Sequence, residues 1–196
     1  MRALLFPLLA YLIGSISSAV VVAKAMGLPD PRTTGSKNPG ATNILRLGGK
    51  KAAALTLLGD VLKGVIPVLL AKMLGGGATL VALAAMGAFL GHLFPLYTGF
   101  KGGKGVATGF GTYIALSPLV ALVMVGVWII VAKTSRYSSL GGLSAAAAAP
   151  ILVAIFLKSP PIVIYALISS ALLFWRHREN IRRLLDGTES RIGDKH

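Results

Sequence analysis

Apolar stretches of about twenty residues follow one another along this chain, and charges inside them are rare. At 1.5 Å rise per residue, about 20 apolar residues in a helix cross the hydrocarbon core of a bilayer. The pattern therefore predicts an all-α integral membrane protein. Composition agrees, because only 13% of the 196 residues are charged, against about a quarter in a soluble domain.

The few charges are strongly one-sided, 20 Lys plus Arg against 6 Asp plus Glu, for a formal net charge of +14. Their placement orients the chain. The first span runs from Ala3 to Ala23, interrupted only by Ser15, Ser17 and Ser18. Lys24, Arg32, Lys37, Arg46, Lys50 and Lys51 follow it, and only Arg2 and the terminal amine precede it. A cleaved signal peptide has the opposite order. The positive-inside rule puts the N-terminus outside and residues 24–51 in the cytoplasm. Ala52–Leu74 then runs outward, Ala78–Tyr97 returns, and residues 99–105 are cytoplasmic.

Residues 106–132 read as one helix would give six spans and leave Lys133, Arg136, Arg176, Arg178, Arg182 and Arg183 outside. Ser117-Pro118 removes the conflict, since Pro breaks a helix interior. Two short spans result, about 104–116 and 119–133, each only about 20 Å long. Leu140–Leu157 and Ile162–Trp175 complete seven transmembrane helices, two of the central ones short, with the N-terminus outside and the C-terminus cytoplasmic. Sixteen of the twenty basic residues then face the cytoplasm, leaving Arg2, Lys63, Lys72 and Lys158. No linker, repeat or low-complexity tract divides residues 1–196, which read as a single domain.

Several chemistries are excluded. With no Cys there is no disulfide, thiolate metal site or cysteine nucleophile, and the three His do not stand at ligand spacing. No metal or cofactor is expected.

Three cytoplasmic segments are unusual. In the first, Gly35-Ser36-Lys37-Asn38-Pro39-Gly40-Ala41-Thr42-Asn43-Ile44-Leu45-Arg46, glycines and a proline punctuate hydroxyl, amide and cationic side chains. Such a loop can offer backbone N–H groups to an anion, with Arg46 able to make a bidentate phosphate contact. A solvated loop whose cations only fix topology accounts for the composition equally well. The second, Phe100-Lys101-Gly102-Gly103-Lys104-Gly105-Val106-Ala107-Thr108-Gly109, places glycines before a helix start, where a phosphate can approach closely. It is not a nucleotide-binding P-loop, because Gly105 stands after Lys104 where Ser or Thr is required; a plain inter-helix connector is the other reading. In the third, residues 176–185, His177, Asn180, Ile181 and Leu184 share one face if the last helix continues past Trp175. Glu189 lies beyond Gly187 and can neutralise a neighbouring arginine. Arg136, Ser138 and Ser139 form a weaker polar cluster on the same side. Within the second span, Asp60 and Lys63 stand at i, i+3; intramembrane charges pair or mark a pathway.

Phosphate-type donors gathered on one membrane face above an apolar body suit chemistry between a phosphorylated water-soluble molecule and an acyl chain in the bilayer. At this point a resemblance becomes specific. G-S-I-S-S-A (14–19), G-S-K-N-P-G-A-T-N-x-x-R (35–46), G-H-L-F-P-L-Y-x-x-F-K-G-G-K-G-V-A-T (91–108) and H-R-x-N-I-x-R-L-x-x-G-x-E (177–189) resemble the signatures of the bacterial acyl-phosphate:glycerol-3-phosphate acyltransferases, the PlsY family. The resemblance implies a seven-helix enzyme of the bacterial inner membrane, with its active site on the cytoplasmic face. It implies transfer of a fatty acyl group from acyl phosphate to the 1-hydroxyl of sn-glycerol 3-phosphate. The products are lysophosphatidic acid and phosphate, the first committed step of phospholipid synthesis. It assigns catalysis to Ser36, Arg46, Lys104, His177 and Asn180, and glycerol-phosphate binding to Gly102, Gly103 and Gly105, with structural integrity tied to Glu189. Asn38, Gly40, Thr42, Asn43 and Ser139 are further candidates for substrate contact. Acyl phosphate, glycerol 3-phosphate and membrane lipid are the expected partners, and nucleic acid is not one.

The H-x-x-x-x-D motif of another acyltransferase class is absent: Tyr97 stands where the Asp would follow His92, and Arg182 where it would follow His177. Two proton acceptors remain for the hydroxyl, His177 or a phosphate oxygen of the donor, the second slightly favoured. A covalent acyl-enzyme is not expected, because Ser36 has no partnered base in its own segment. The competing class is a transporter for an organic phosphate, for which basic gates and Asp60–Lys63 also make sense. Transporters, however, carry internal repeats and midplane sites, whereas these motifs lie on one side. A scaffold holding anionic lipid on its basic face is the third reading.

Overall fold

The computed structural model describes residues 2–193, without the side chains of residues 2–4. Among the described residues the only regular structure is helical: α1 Arg2–Gly14, α2 Ser18–Ala25, α3 Ala41–Met73, α4 Ala78–Leu93, a 3-10 turn Leu96–Thr98, α5 Val106–Leu116, α6 Pro118–Ser135, α7 Ser138–Phe156, α8 Pro160–Arg176 and α9 Arg178–Leu185. Five stretches are long and apolar enough to cross a membrane: Leu5–Ala25, Ala41–Met73, Ala78–Thr98, Pro118–Ser135 and Ser138–Phe156; Val106–Leu116 and Pro160–Arg176 are shorter apolar helices. The chain forms two compact units, Met1–Leu116 and Ser117–His196.

In the first unit small residues let helices approach to backbone contact, which matters in lipid because apolar side chains gain nothing there by leaving water. A Cβ on Gly87 would overlap the Pro7 carbonyl oxygen, and one on Gly91 the Tyr11 carbonyl oxygen, so α1 lies directly on α4. Gly64 and Gly111 do the same for α3 and α5, facing the Thr108 and Val61 carbonyl oxygens.

Three boundaries differ from the sequence reading. The first apolar stretch is not one helix, since the chain leaves helical geometry between Gly14 and Ser18. Ser15 turns its hydroxyl onto the Tyr11 carbonyl at 2.8 Å, and Lys63 Nζ reaches across from α3 to donate to the Ile16 carbonyl at 2.8 Å. A broken helix in lipid needs such substitute partners. Residues 41–48, read as part of a loop, are helical and lead into the long span through Gly49, whose φ of 75° only glycine adopts readily. Within the return span, which reaches Thr98, the α-helix stops at Leu93: Phe94 leaves helical geometry before Pro95, and a 3-10 turn carries the chain on.

Ser117-Pro118 breaks the chain as expected. Ser117 is extended and its hydroxyl accepts from Val120 N at 3.4 Å, with Pro118 in the first turn, a regular helix start. Two of the cations that the charge rule left over now have local roles. Lys63 serves the α1–α2 break, and Lys72 Nζ donates to the Ala115 and Leu116 carbonyls at 2.7 and 3.0 Å, closing the C-terminus of α5.

In the second unit Gly141 brings α7 within van der Waals reach of Trp128 on α6, and Ser170 of α8 donates to the Ala146 carbonyl of α7 at 2.6 Å. The last apolar helix does not run unbroken into the tail: α8 ends at Arg176, and His177, with φ −95° and ψ 6°, separates it from α9. The tail returns to the α6–α7 turn, where Ile192 N donates to the Arg136 carbonyl at 2.7 Å and Arg136 Nη2 to the Ile192 carbonyl at 3.1 Å.

Candidate active site

In the first unit, the loop ahead of α3 is organised by Asn43, which is 1% exposed. Its Oδ1 accepts from Ser36 N at 3.1 Å, and its Nδ2 donates to the Pro31 and Thr34 carbonyls at 3.0 Å each. A Cβ on Gly35, at φ +64°, would overlap Asn43 Oδ1, so glycine is needed there twice over. Asn43, a candidate for substrate contact, thus spends its amide on the loop backbone and holds Ser36 at the surface. Asn38 accepts through its carbonyl from Gly40 N at 2.9 Å, closing the turn into α3. Gly40 is the helix N-cap, and Thr42 and Arg46 are exposed in the first two turns.

The second segment passes over the end of α4. Gly103 N donates to the His92 carbonyl at 3.1 Å. A Cβ on Gly102 would overlap that same carbonyl oxygen and stand 2.5 Å from that of Leu93. On Gly103 it would overlap His92 Nε2 and stand 3.2 Å from the Pro39 carbonyl oxygen. Gly103 is therefore where the two glycine-punctuated segments, separated by some sixty residues, meet. Gly105, at φ +91°, turns the chain against the Phe89 ring, and half-buried Lys104 stands at the threshold of α5.

Under this segment lies a buried polar group that sequence reasoning only partly found. His92 Nδ1 is 3.0 Å from Thr108 Oγ1 and 3.6 Å from Asp60 Oδ1, and Lys63 Nζ is 2.8 Å from the same carboxylate oxygen. Asp60 and Lys63 form the ion pair that their spacing suggested. His92 and Thr108 were missed as a pair. The available signal was a histidine at the end of an otherwise apolar helix that ran beside an intramembrane charge pair.

In the second unit, His177 is 3% exposed. Its Nδ1 lies 2.8 Å from the Leu173 carbonyl, and a carbonyl only accepts, so Nδ1 carries the proton and Nε2 is the acceptor nitrogen of the neutral ring. Glu189 gathers three donors: Ser139 Oγ and Asn180 Nδ2 to Oε1, each at 2.6 Å, and Arg183 Nε to Oε2 at 2.7 Å. The arginine anticipated for Glu189 is Arg183. Ser139 and Asn180, candidates for substrate and catalytic roles, are both held by this carboxylate. Thr188 and Glu189 also donate their N–H groups to the Arg183 carbonyl, at 2.8 and 3.1 Å, which folds the tail back onto α9.

Burial pushes the Glu189 carboxyl up, but the Ser139, Asn180 and Arg183 donors outweigh it and hold it below the usual carboxylate range. A depressed carboxylate stabilises the fold fully above its unfolded pKa, and that contribution is lost as pH falls through the folded value. Thermal unfolding of the intact protein should therefore drop as pH is lowered through and below the usual carboxylate range. Glu189→Gln should unfold at a lower temperature near neutral pH and show a flatter dependence in the acid range. An unchanged acid profile in Glu189→Gln would remove the carboxylate from this role.

Among the described residues no group of three or more His, Cys, Asp or Glu is arranged to hold a metal ion.

Comparison with known proteins follows the same geography. The profile of the family described as Glycerol-3-phosphate acyltransferase matches residues 4–187. A glycerol-3-phosphate acyltransferase of Bordetella petrii is 57% identical over 195 residues, covering 95% of this chain and 92% of the relative. That of Burkholderia pseudomallei strain K96243 is 55% identical over 199 residues, covering 100% and 98%. The crystal structure of PlsY, an integral membrane glycerol 3-phosphate acyltransferase, in its glycerol 3-phosphate form superimposes with a TM-score of 0.93 at 41% identity, over 98% of this chain and 96% of that one. Its lysophosphatidic acid form gives 0.91 at 39% identity, with the same coverage. The family profile spans both units, and on that ground the chain belongs to the glycerol-3-phosphate acyltransferase family.

Proposed function

We propose that this protein transfers a fatty acyl group from acyl phosphate to the 1-hydroxyl of sn-glycerol 3-phosphate, releasing lysophosphatidic acid and inorganic phosphate. The observation that carries the reading is the meeting of two glycine-punctuated, cation-bearing segments at Gly103, each of which leads into a helix N-terminus. Two phosphate groups bring roughly −3 to −4 of charge to such a site. Arg46 and Lys104, with loop amides and the N-termini of α3 and α5, supply donors and compensating charge. Ser36, Asn38, Gly40 and Thr42 contribute polar groups and backbone around the same loop. Gly102, Gly103 and Gly105 allow the phosphate to approach the chain closely.

The proton balance closes within the substrates. Attack by the 1-hydroxyl oxygen on the acyl carbon forms the ester bond and breaks the bond to the phosphate oxygen. The hydroxyl proton ends on the departing phosphate. No side chain gains or loses a proton overall, and no acyl-enzyme on Ser36 is needed. On the family resemblance, His177 orients the hydroxyl through Nε2. Asn180 and Ser139 are fixed in place by Glu189. Orientation of this kind contributes several kcal/mol, up to about 7 to 11 in the best-aligned systems.

The reading extends to residues 1–196 as a single acyltransferase domain of the bacterial inner membrane. Seven spans place the N-terminus outside and the motifs on the cytoplasmic face, α1 and α2 together making the first. The helix break at Ser117-Pro118 supports this count. The chain has no Cys, so Ser117→Cys offers a unique thiol. It should react with a membrane-impermeant maleimide from the periplasmic side of intact cells, and labelling only from the cytoplasm would reject seven spans.

The decisive assay gives purified protein acyl phosphate and radiolabelled glycerol 3-phosphate. Labelled lysolipid is the expected product. Uptake of label into liposomes without acyl product would favour an organic-phosphate transporter instead.

A further inference from the structure

We propose that His92 is a positioning residue for the acceptor's phosphate: it sets the height of Gly102-Gly103-Lys104 over the end of α4, and Thr108 in turn sets His92. The inference rests on the reading of that segment as the glycerol-phosphate cradle.

His92 meets the segment in two ways. Its carbonyl accepts the Gly103 N–H at 3.1 Å, and its ring fills the space that a Gly103 side chain would need, Nε2 overlapping the position of a Cβ and Cε1 lying 2.9 Å from it. The ring is 6% exposed, so its rotation is decided by packing and by what faces Nδ1. That nitrogen faces Thr108 Oγ1 at 3.0 Å and, farther off, Asp60 Oδ1 at 3.6 Å, which is itself 2.8 Å from Lys63 Nζ. Thr108 is the third residue of α5 and 0% exposed. One imidazole thus ties α3, α4 and α5 together directly beneath the stretch that carries Lys104.

The physical consequence is geometric. The segment is slung between the end of α4 and the start of α5, and glycines give it no side chains with which to hold its own position. Without the Thr108 hydroxyl the ring loses its nearest partner at Nδ1 and turns toward Asp60, and Nε2 shifts relative to Gly103. The Lys104 ammonium and the amides of Gly102 and Gly103 shift with it, and displacements near 1 Å are enough to weaken an aligned contact greatly. Because His92 touches backbone rather than reactants, the effect falls on acceptor binding and not on the chemical step.

Steady-state kinetics of full-length protein in detergent or lipid tests this. Thr108→Val, which keeps the shape and removes the hydroxyl, should raise KM for glycerol 3-phosphate about tenfold or more, with kcat within about threefold and KM for acyl phosphate unchanged. Thr108→Ser should restore it. Thr112→Val is the control, since the Thr112 hydroxyl donates to the Gly109 carbonyl of its own helix at 2.7 Å, and it should keep the parent KM. A second measurement does not depend on how well Thr108→Val folds. Gly103→Ala should cost about tenfold more in kcat/KM in the parent than in His92→Asn, where the obstructing Nε2 is gone. A parent-like KM in Thr108→Val, a loss confined to kcat, or equal cost of Gly103→Ala in both backgrounds would overturn the proposal. Lys104→Met separates the two readings. If it leaves KM for glycerol 3-phosphate unchanged, the cradle is wrongly placed; if it raises KM while the Thr108 and His92 variants behave as the parent, only the role of His92 fails.

Discussion

Arg46→Ala and Lys104→Met should each lower kcat/KM for glycerol 3-phosphate by about 10²- to 10³-fold, the range seen when one preorganised donor to a developing charge is removed. The reason is the density of negative charge in the reaction. Both substrates carry a phosphate, and the transition state adds an oxyanion at the acyl carbon and charge on the leaving oxygen. Cationic donors that meet these groups make charge-assisted bonds, each worth about 1.5–3 kcal/mol. Arg46→Lys keeps the charge but gives up the planar fork, so its loss should be smaller, about tenfold. The split between parameters distinguishes the roles: a cation that holds the acceptor alone raises KM, and one that neutralises the leaving phosphate lowers kcat. Full turnover in both Arg46→Ala and Lys104→Met would remove the two segments from the reaction. Rising salt should weaken acceptor binding in the parent and have less effect in either variant.

What the sequence revealed and what it hid follow a physical pattern. The break at Ser117-Pro118 was legible because two independent rules met there, the steric rule for proline and the side on which cations accumulate. The break after Gly14 was not. Ser15, Ser17 and Ser18 fit an intact packing helix equally well, and the group that makes the break tolerable, Lys63, lies 47 positions away. Gly40 was counted as loop punctuation although it begins a helix, because the residue that stabilises the turn, Asn43, works backward through three backbone groups.

The same limit governs the site. Ser36, Arg46, Lys104, His177 and Asn180 were found as members of contiguous motifs, where spacing alone carries information. Their supports are non-local. Glu189 draws Ser139 from 50 positions away, and His92 draws Thr108 from the next helix. Residues that touch substrate cluster in sequence because loops present them, whereas those that hold the loops come from wherever the helices cross. The +14 net charge divides in the same way. Lys63 and Lys72 neutralise carbonyls and a carboxylate inside the first unit, Arg183 is spent on Glu189, and Arg136 holds the tail, so fewer cations remain for phosphate than the composition suggests.

Lys63→Met should be among the most destabilising single substitutions in the chain, by about 3–5 kcal/mol, the cost of leaving one member of a buried pair uncompensated. The Lys63 and Asp60 side chains are 6% and 3% exposed, so water screens neither. Removing the ammonium strips Asp60 of its counter-charge at 2.8 Å and the Ile16 carbonyl of its donor in the gap between α1 and α2. Asp60→Leu should cost less than Lys63→Met, because the remaining ammonium still has the Ile16 carbonyl. The informative comparison is the double variant. If the pair served only to neutralise itself, Asp60→Leu with Lys63→Met would return to parent stability, as apolar replacement of buried pairs often does. Because Lys63 also satisfies a broken helix, the double variant should be more stable than Lys63→Met and still less stable than the parent. Thermal unfolding in detergent reads all three. A double variant as stable as the parent would show that the Ile16 carbonyl needs no cation, and one no better than Lys63→Met would show that Asp60 was never paired. The intermediate outcome is expected because one ammonium lies 2.8 Å from each oxygen.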